Sequence, residues 1–159
     1  MTSPYYEIIH LIERLHRQFL DVLKVELERA GIHDINNVQS LVLHNIGDDE
    51  MTVGELTVRG YYLGSNVSYN VKKMVENGYL IQQRSVHDKR SLRVHLSDKG
   101  RALNAALADL YRQHEADLSD IGLSQGGLSE LNENLKALER FWASQMTGGN
   151  LHVPKTAAN

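Results

Sequence analysis

At Gly78 the spacing of apolar residues switches from a helical to a strand period, and this switch constrains the fold more than any other feature. Before it, Val67, Val71, Met74 and Val75 recur at helical spacing and form one narrow apolar stripe between Gly64 and Gly78. Gly78 stands where a left-handed C-terminal stop belongs. After it, Tyr79-Leu-Ile-Gln-Gln-Arg84 reads as a short strand and Leu92-Arg-Val-His-Leu96 as a second, alternating one. Ser85-Val-His-Asp-Lys-Arg-Ser91 between them is a polar, basic hairpin tip. With Val67 inward and about 100° per residue, Ser65, Tyr69, Lys72 and Glu76 point outward, with Ser68 and Lys73 on the flanks. Such a face suits an anionic partner.

Upstream, Thr52-Val-Gly-Glu55 is a capping box that opens a short helix. Helix, turn, outward-polar helix and basic hairpin together are the order of a winged helix-turn-helix. The expected fold class is therefore mainly α (α+β): a winged helix-turn-helix flanked by long dimerisation helices. In that design the second helix enters the major groove of DNA, and the hairpin reaches the neighbouring backbone or minor groove.

Asp88-Lys-Arg90 followed by Val94-His-Leu-Ser-Asp-Lys-Gly100 resembles the wing signature of the MarR family of bacterial transcription regulators, and Gln39, Leu41 and Leu43 are similar to its preceding helix. The resemblance runs from about Tyr5 to Trp142. Within the family, Arg59-Gly-Tyr-Tyr-Leu-Gly-Ser-Asn-Val-Ser-Tyr-Asn looks most like the LdtR-type regulators, named for control of an L,D-transpeptidase gene. Arg59-Gly-Tyr-Tyr is bulkier and more basic than is usual for the family, so no other member's target sequence transfers. The resemblance implies a homodimer on double-stranded DNA with a palindromic operator. It also implies a small aromatic or amphipathic effector that releases the DNA.

The net charge of −3 hides an asymmetry. Residues 59–101 hold nine Lys/Arg against three acids, a balance of +6, which leaves −9 for the rest of the chain. A basic middle between acidic ends is the footprint of a localised anion-binding surface. The 159 residues suit one domain with a core of its own. No run approaches the roughly 18 apolar residues of a membrane span, and the N-terminus lacks the basic start and apolar run of a signal peptide, so a cytoplasmic protein without membrane contact is expected. The absence of cysteine excludes a disulfide scaffold, a thiol switch and a Cys-ligated metal.

Along the chain, Ser3-Pro4 reads as an N-cap with proline in the first turn. The first helix carries Ile8, Ile12, Leu15, Phe19, Val22 and Leu23 to a stop near Ala30-Gly31. Its length suggests burial against a partner chain, although packing within one chain explains much of the pattern. Asn36 caps a second helix over 37–45 with Val38, Leu41 and Val42 inward; Gly47-Asp-Asp-Glu50 is an acidic turn. Ser97 caps a long helix from Asp98 to about Leu118, faced by Leu103, Leu107, Leu110 and Leu118 and closed by Gly122. Ser124 starts the last helix, with Leu128, Leu131, Leu135, Leu138, Phe141 and Trp142. The expected partition is a dimerisation helix over 1–34, a DNA-binding module over 35–100, dimerisation helices over 101–146 and a disordered tail over 147–159. Two-fold symmetry would set the two groove helices roughly 34–36 Å apart.

The DNA-binding candidates are Ser65, Asn66, Ser68, Tyr69, Asn70, Lys72 and Lys73 on the outward face, and Arg84, His87, Asp88, Lys89 and Arg90 on the wing. Hydroxyls and amides can bond base edges or phosphates, Asn pairs well with adenine, and lysines suit phosphates. Asn66 and Asn70 could equally serve local capping. Tyr69 on an outward face would otherwise expose apolar area to no purpose. Arg90 is expected in the minor groove with Asp88 bracing it; the plainer alternative is an exposed ion pair worth about 0–1 kcal/mol.

His16, Phe19, Ser40, His44 and Tyr62 are candidates for lining an effector crevice, with ordinary interhelical packing as the competing reading. None of the eight histidines forms a His-x-x-x-His pair, and no metal or cofactor is expected. The chain lacks a glycine-rich phosphate loop, a Gly-x-Ser-x-Gly elbow and a His-Glu-x-x-His motif, which argues against an enzyme. The alternative function is a helical dimeric adaptor that holds an acidic protein through its basic wing.

Overall fold

The structure, a computed structural model, describes residues 1–60, 64–88, 91–149 and 151. It is the mainly α winged helix-turn-helix that the spacing predicts. The elements are α1 (Pro4–Arg29), α2 (Asn37–Ile46), β1 (Met51–Thr52), α3 (Val53–Gly60), α4 (Gly64–Glu76), β2 (Leu80–Arg84), β3 (Leu92–Leu96), α5 (Asp98–Leu118), a 3-10 turn (Ser119–Ile121) and α6 (Gln125–Gln145). The three strands form one antiparallel sheet in the order β1-β3-β2, with Met51 opposite Val94 and Leu80 opposite Leu96. Residues Met1–Asp109 make one compact unit and Leu110–Asn159 another.

The core of the first unit gathers Leu23 and Leu27 of α1, Val42, Leu43 and Ile46 of α2, Leu56 of α3, the Val67–Val71–Met74 stripe of α4, and Val94 and Leu96 of β3. Leu103 and Leu107 of α5 join the buried set. Alternation along β3 has the cause inferred from it at Val94 and Leu96, which face inward; Leu92, on the same face at the strand's start, is exposed.

The stop after α4 depends on Gly78, at φ +82°. Its N–H donates to Val75 O at 3.1 Å, and the Tyr79 N–H donates to Met74 O at 2.9 Å. Only glycine takes that left-handed conformation without steric cost. Two N-terminal signals also hold. Asn36 and Gln39 form a reciprocal capping box on α2, and Thr52 and Glu55 form one on α3, each bond at 3.1 Å.

Three local expectations need correction, and one strand was not foreseen. Ser3 occupies the N-cap position of α1 but makes no side-chain cap; Pro4 alone marks the start. β1 had no sequence signal, being two residues long. Tyr79 precedes β2 instead of opening it. On α2, Val38 is exposed and Leu41 half-buried, while Gln39 and Ser40 are buried. The inward face is centred on Gln39, Leu43 and Ile46, because the Gln39 amide finds partners in the Asn36 N–H and Asn70 Oδ1 that remove the cost of burying it.

In α1, only Leu23 and Leu27 are buried; Ile8, Leu11, Leu15, Phe19 and Val22 are exposed. In the second unit, Ser124 caps α6 by accepting from the Gly127 N–H at 3.2 Å. No residue of α6 is buried, and Leu131, Leu135 and Phe141 are exposed. Among the described residues no helix is long and apolar enough to cross a membrane.

Candidate nucleic-acid interface

Helix α4 presents the face its periodicity implies. Val67, Val71 and Met74 are at most 3% exposed, while Ser65, Asn66, Ser68, Tyr69 and Lys72 lie open to solvent. Tyr69 is 61% exposed, with Lys73 Nζ 6.0 Å from its ring centroid. Lys73 also pairs with Glu76 at 3.4 Å. Asn70 is half-buried, and its Oδ1 accepts from Gln39 Nε2 at 3.3 Å. The helix thus carries hydroxyl, amide, phenol and ammonium groups outward on a stem gripped by the core.

The hairpin below it is held at its neck. The Ser85 N–H donates to Ser91 O at 3.0 Å, and Ser85 Oγ accepts from the His87 and Asp88 N–H groups at 3.3 and 3.4 Å. His87 and Asp88 are exposed, as is Arg84 at the end of β2. Lys89 and Arg90 lie outside the described residues.

The ion pairs change how the basic stretch should be counted. Arg59 donates to Asp49 Oδ2 at 2.6 Å and to Asn45 O at 3.3 Å. Arg93 pairs with Glu55 at 3.7 Å and Lys99 with Asp34 at 2.5 Å. All three acids lie upstream of residue 59, so a window over 59–101 overstates the local positive field. Those cations tie the module together, whereas no acid among the described residues lies within ion-pair distance of Lys72.

Asp34 is the hub of that tie. It accepts from Lys99 Nζ and from Tyr79 Oη, each at 2.5 Å, while its backbone carbonyl accepts from Asn77 Nδ2 at 2.8 Å. Lys99 also reaches Asn77 O at 2.9 Å and stands 4.3 Å over the Tyr79 ring. The Lys99 hydrogen bond, then the Tyr79 one, holds the Asp34 carboxyl below the ordinary carboxylate range. Burial, then the carboxylate beside it, pushes the Tyr79 phenol well above its usual range. This network joins the α1–α2 loop to the end of α4, the start of the hairpin and the first turn of α5. Residue spacing carried no hint of it.

The effector candidates are dispersed in character. His16 and Phe19 lie on the exposed part of α1. Ser40 is fully buried, its hydroxyl donating to Asn37 O at 2.7 Å. His44 Nδ1 lies 3.0 Å from Asn104 Oδ1 of α5. Tyr62 is outside the described residues. A shallow groove of about 470 Å³ along the first turns of α1, lined by Tyr6, Ile8, Leu11 and neighbours, includes none of them. Among the described residues no three His, Asp or Glu side chains are grouped to hold a metal.

Comparison with known proteins places this geometry in context. The model of the MarR family matches residues 33–91. The exopolysaccharide II synthesis transcriptional activator ExpG of Rhizobium meliloti (strain 1021) is 39% identical over 140 residues, covering 88% of this chain and 72% of that protein. A MarR family regulator from Listeria monocytogenes, solved with a 26mer DNA, superposes with a TM-score of 0.76 at 16% identity, over 97% of this chain and 100% of that one. FabT of Streptococcus pneumoniae, also solved with DNA, gives 0.73 at 20% identity, over 88% and 98%.

Proposed function

The chain belongs to the MarR family of transcription regulators, and on that premise we propose that it is a dimeric, sequence-specific regulator that binds double-stranded DNA at a palindromic operator. The observation that carries this reading is α4: a helix with its apolar stripe buried and Ser65, Asn66, Ser68, Tyr69 and Lys72 open to solvent. It is the element of a winged module that enters the major groove. Solved relatives of the same fold hold DNA, which supports the assignment. The wing, from Arg84 through His87 and Asp88 to Lys89 and Arg90, reaches the flanking backbone and minor groove.

Dimerisation rests on the two apolar faces left open, Ile8–Leu11–Leu15–Phe19 on α1 and Leu131–Leu135–Phe141 on α6. Residues 1–34 and 101–146 then form the dimer module, with 35–100 as the reader and 147–159 as a tail. A small aromatic or amphipathic effector acting near His16, Phe19, Ser40, His44 and Tyr62 would release the DNA. The LdtR-type subgroup and a cytoplasmic location complete the reading.

Fluorescence anisotropy with a labelled duplex selected from a random pool tests it. Log affinity should fall by about 0.9 per neutralised phosphate for each unit of log salt. A polyglutamate competitor should not displace the duplex at equal charge. A flat salt response refutes phosphate binding by the basic face, and displacement by polyglutamate favours an acidic protein partner.

A further inference from the structure

We propose that Gln39 sets the polarity of Asn70 and so selects the base that Asn70 accepts. The inference rests on the reading of α4 as the groove helix.

A side-chain amide can be turned end for end with little change of shape, so its partners decide which end faces where. Gln39 Oε1 accepts from the Asn36 backbone N–H at 3.1 Å, and a backbone N–H cannot become an acceptor. The Gln39 Nε2 group therefore faces α4, where it lies 3.3 Å from Asn70 Oδ1. That group only donates, so Asn70 must answer with its carbonyl. Reversing Asn70 would set two N–H groups against each other beside a Gln39 that is only 6% exposed. A buried donor without an acceptor is costly, and water has little access to relieve it.

With its carbonyl turned to Gln39, Asn70 directs the two N–H donors of Nδ2 toward a ligand beyond the helix. In the major groove guanine offers two acceptors, O6 and N7, whereas thymine O4 and adenine N7 offer one each. The familiar Asn–adenine pair instead uses carbonyl and amide together, and cytosine presents only a donor. Asn70 held in this way favours guanine, which offers both N–H groups an acceptor, over adenine and thymine, which offer one, and over cytosine, which offers none. Gln39 is a positioning residue: it acts on the base through Asn70 and touches no DNA itself.

The test uses the full-length protein and a pool of duplexes randomised over the central two turns, from which the wild type and each variant select their sites. Asn70→Ala should even out the selection at one base pair of the half-site, where the wild type selects guanine. Gln39→Glu keeps an acceptor for the Asn36 N–H but sets a second acceptor against Asn70, which turns over. Selection at that same base pair should shift toward adenine or cytosine by about five- to tenfold, the size of one hydrogen bond. The added charge weakens all sites alike and cancels from the ratio. If circular dichroism shows Gln39→Glu unfolded, Gln39→Met keeps the shape and releases Asn70, and adenine should rise at that position. An unchanged base ratio in a folded Gln39 variant overturns the inference and leaves the groove reading intact. If Asn70→Ala changes no position, this inference alone fails; if the wild type selects no sequence, the groove reading fails and this inference with it.

Discussion

Gly100→Ala should destabilise the protein although it replaces a helical glycine with the best helix former. A Cβ built on Gly100 would lie 2.2 Å from Tyr79 O, 3.2 Å from Tyr79 C and 3.3 Å from Leu96 Cδ2. Carbon–oxygen approaches rarely fall below about 3.3 Å, so the first turn of α5 must move by about 1 Å. The obstacle is backbone, and that backbone is held: Tyr79 O accepts from the Ser97 N–H at 3.0 Å. Ser97 Oγ in turn donates to Gly78 O at 2.5 Å and accepts from the Gly100 N–H at 3.1 Å. Overpacking of this kind costs about 1–3 kcal/mol, and straining the Ser97 bonds adds about 1 kcal/mol. Alanine's helix preference returns at most about 1 kcal/mol. The net loss is about 1–3 kcal/mol, a Tm drop of about 3–10 °C for a chain of this length. Differential scanning calorimetry at one fixed protein concentration measures it, since association shifts Tm. Gly126→Ala, in the first turn of α6 with only Ser124 Oγ at 3.9 Å, is the control and should hold or raise Tm. A Gly100→Ala protein as stable as the wild type would refute the close-approach argument.

Lys72→Ala should lower the salt slope of DNA binding by about one, whereas Arg59→Ala should leave it unchanged because Arg59 is paired with Asp49; equal effects would show that the pair opens on DNA. Arg90→Ala should weaken binding most where operator flanks are A·T-rich, since narrow minor grooves favour an inserted arginine; equal loss on every flank would reduce the wing to a phosphate clamp. The lowered pKa of Asp34 means its stabilisation is complete above the ordinary value of about 3.9 and is lost as pH falls through the lowered one. Asp34→Asn should therefore cost under about 1 kcal/mol at neutral pH, the pair being half exposed, and urea titrations should show the gap to the wild type closing in acid. Leu131→Glu with Leu135→Glu should yield a folded monomer by sedimentation, because both leucines are exposed on α6; a persisting dimer would remove α6 from the proposed interface.

The reading module was legible in the sequence because its signals are local. Four apolar residues at helical spacing, a glycine at φ +82° and two capping boxes each act within one turn of chain. Alternation over Leu92–Leu96 likewise reports one face of one strand. What the tertiary structure alone decided involves partners far apart in the chain. Periodicity tells which residues share a face but not what covers it, so Gln39 and Ser40 displaced Val38 from the inside of α2. The pairing of Met51–Thr52 with β3 bridges about forty residues and leaves no trace in a two-residue strand. The charge count missed ion pairing for the same reason. It included Arg59, Arg93 and Lys99 in the basic stretch, but folding brings each against an acid from outside that stretch. Gly100 shows both sides: the wing signature contains it, but only the packed carbonyl of Tyr79 explains why no side chain fits there.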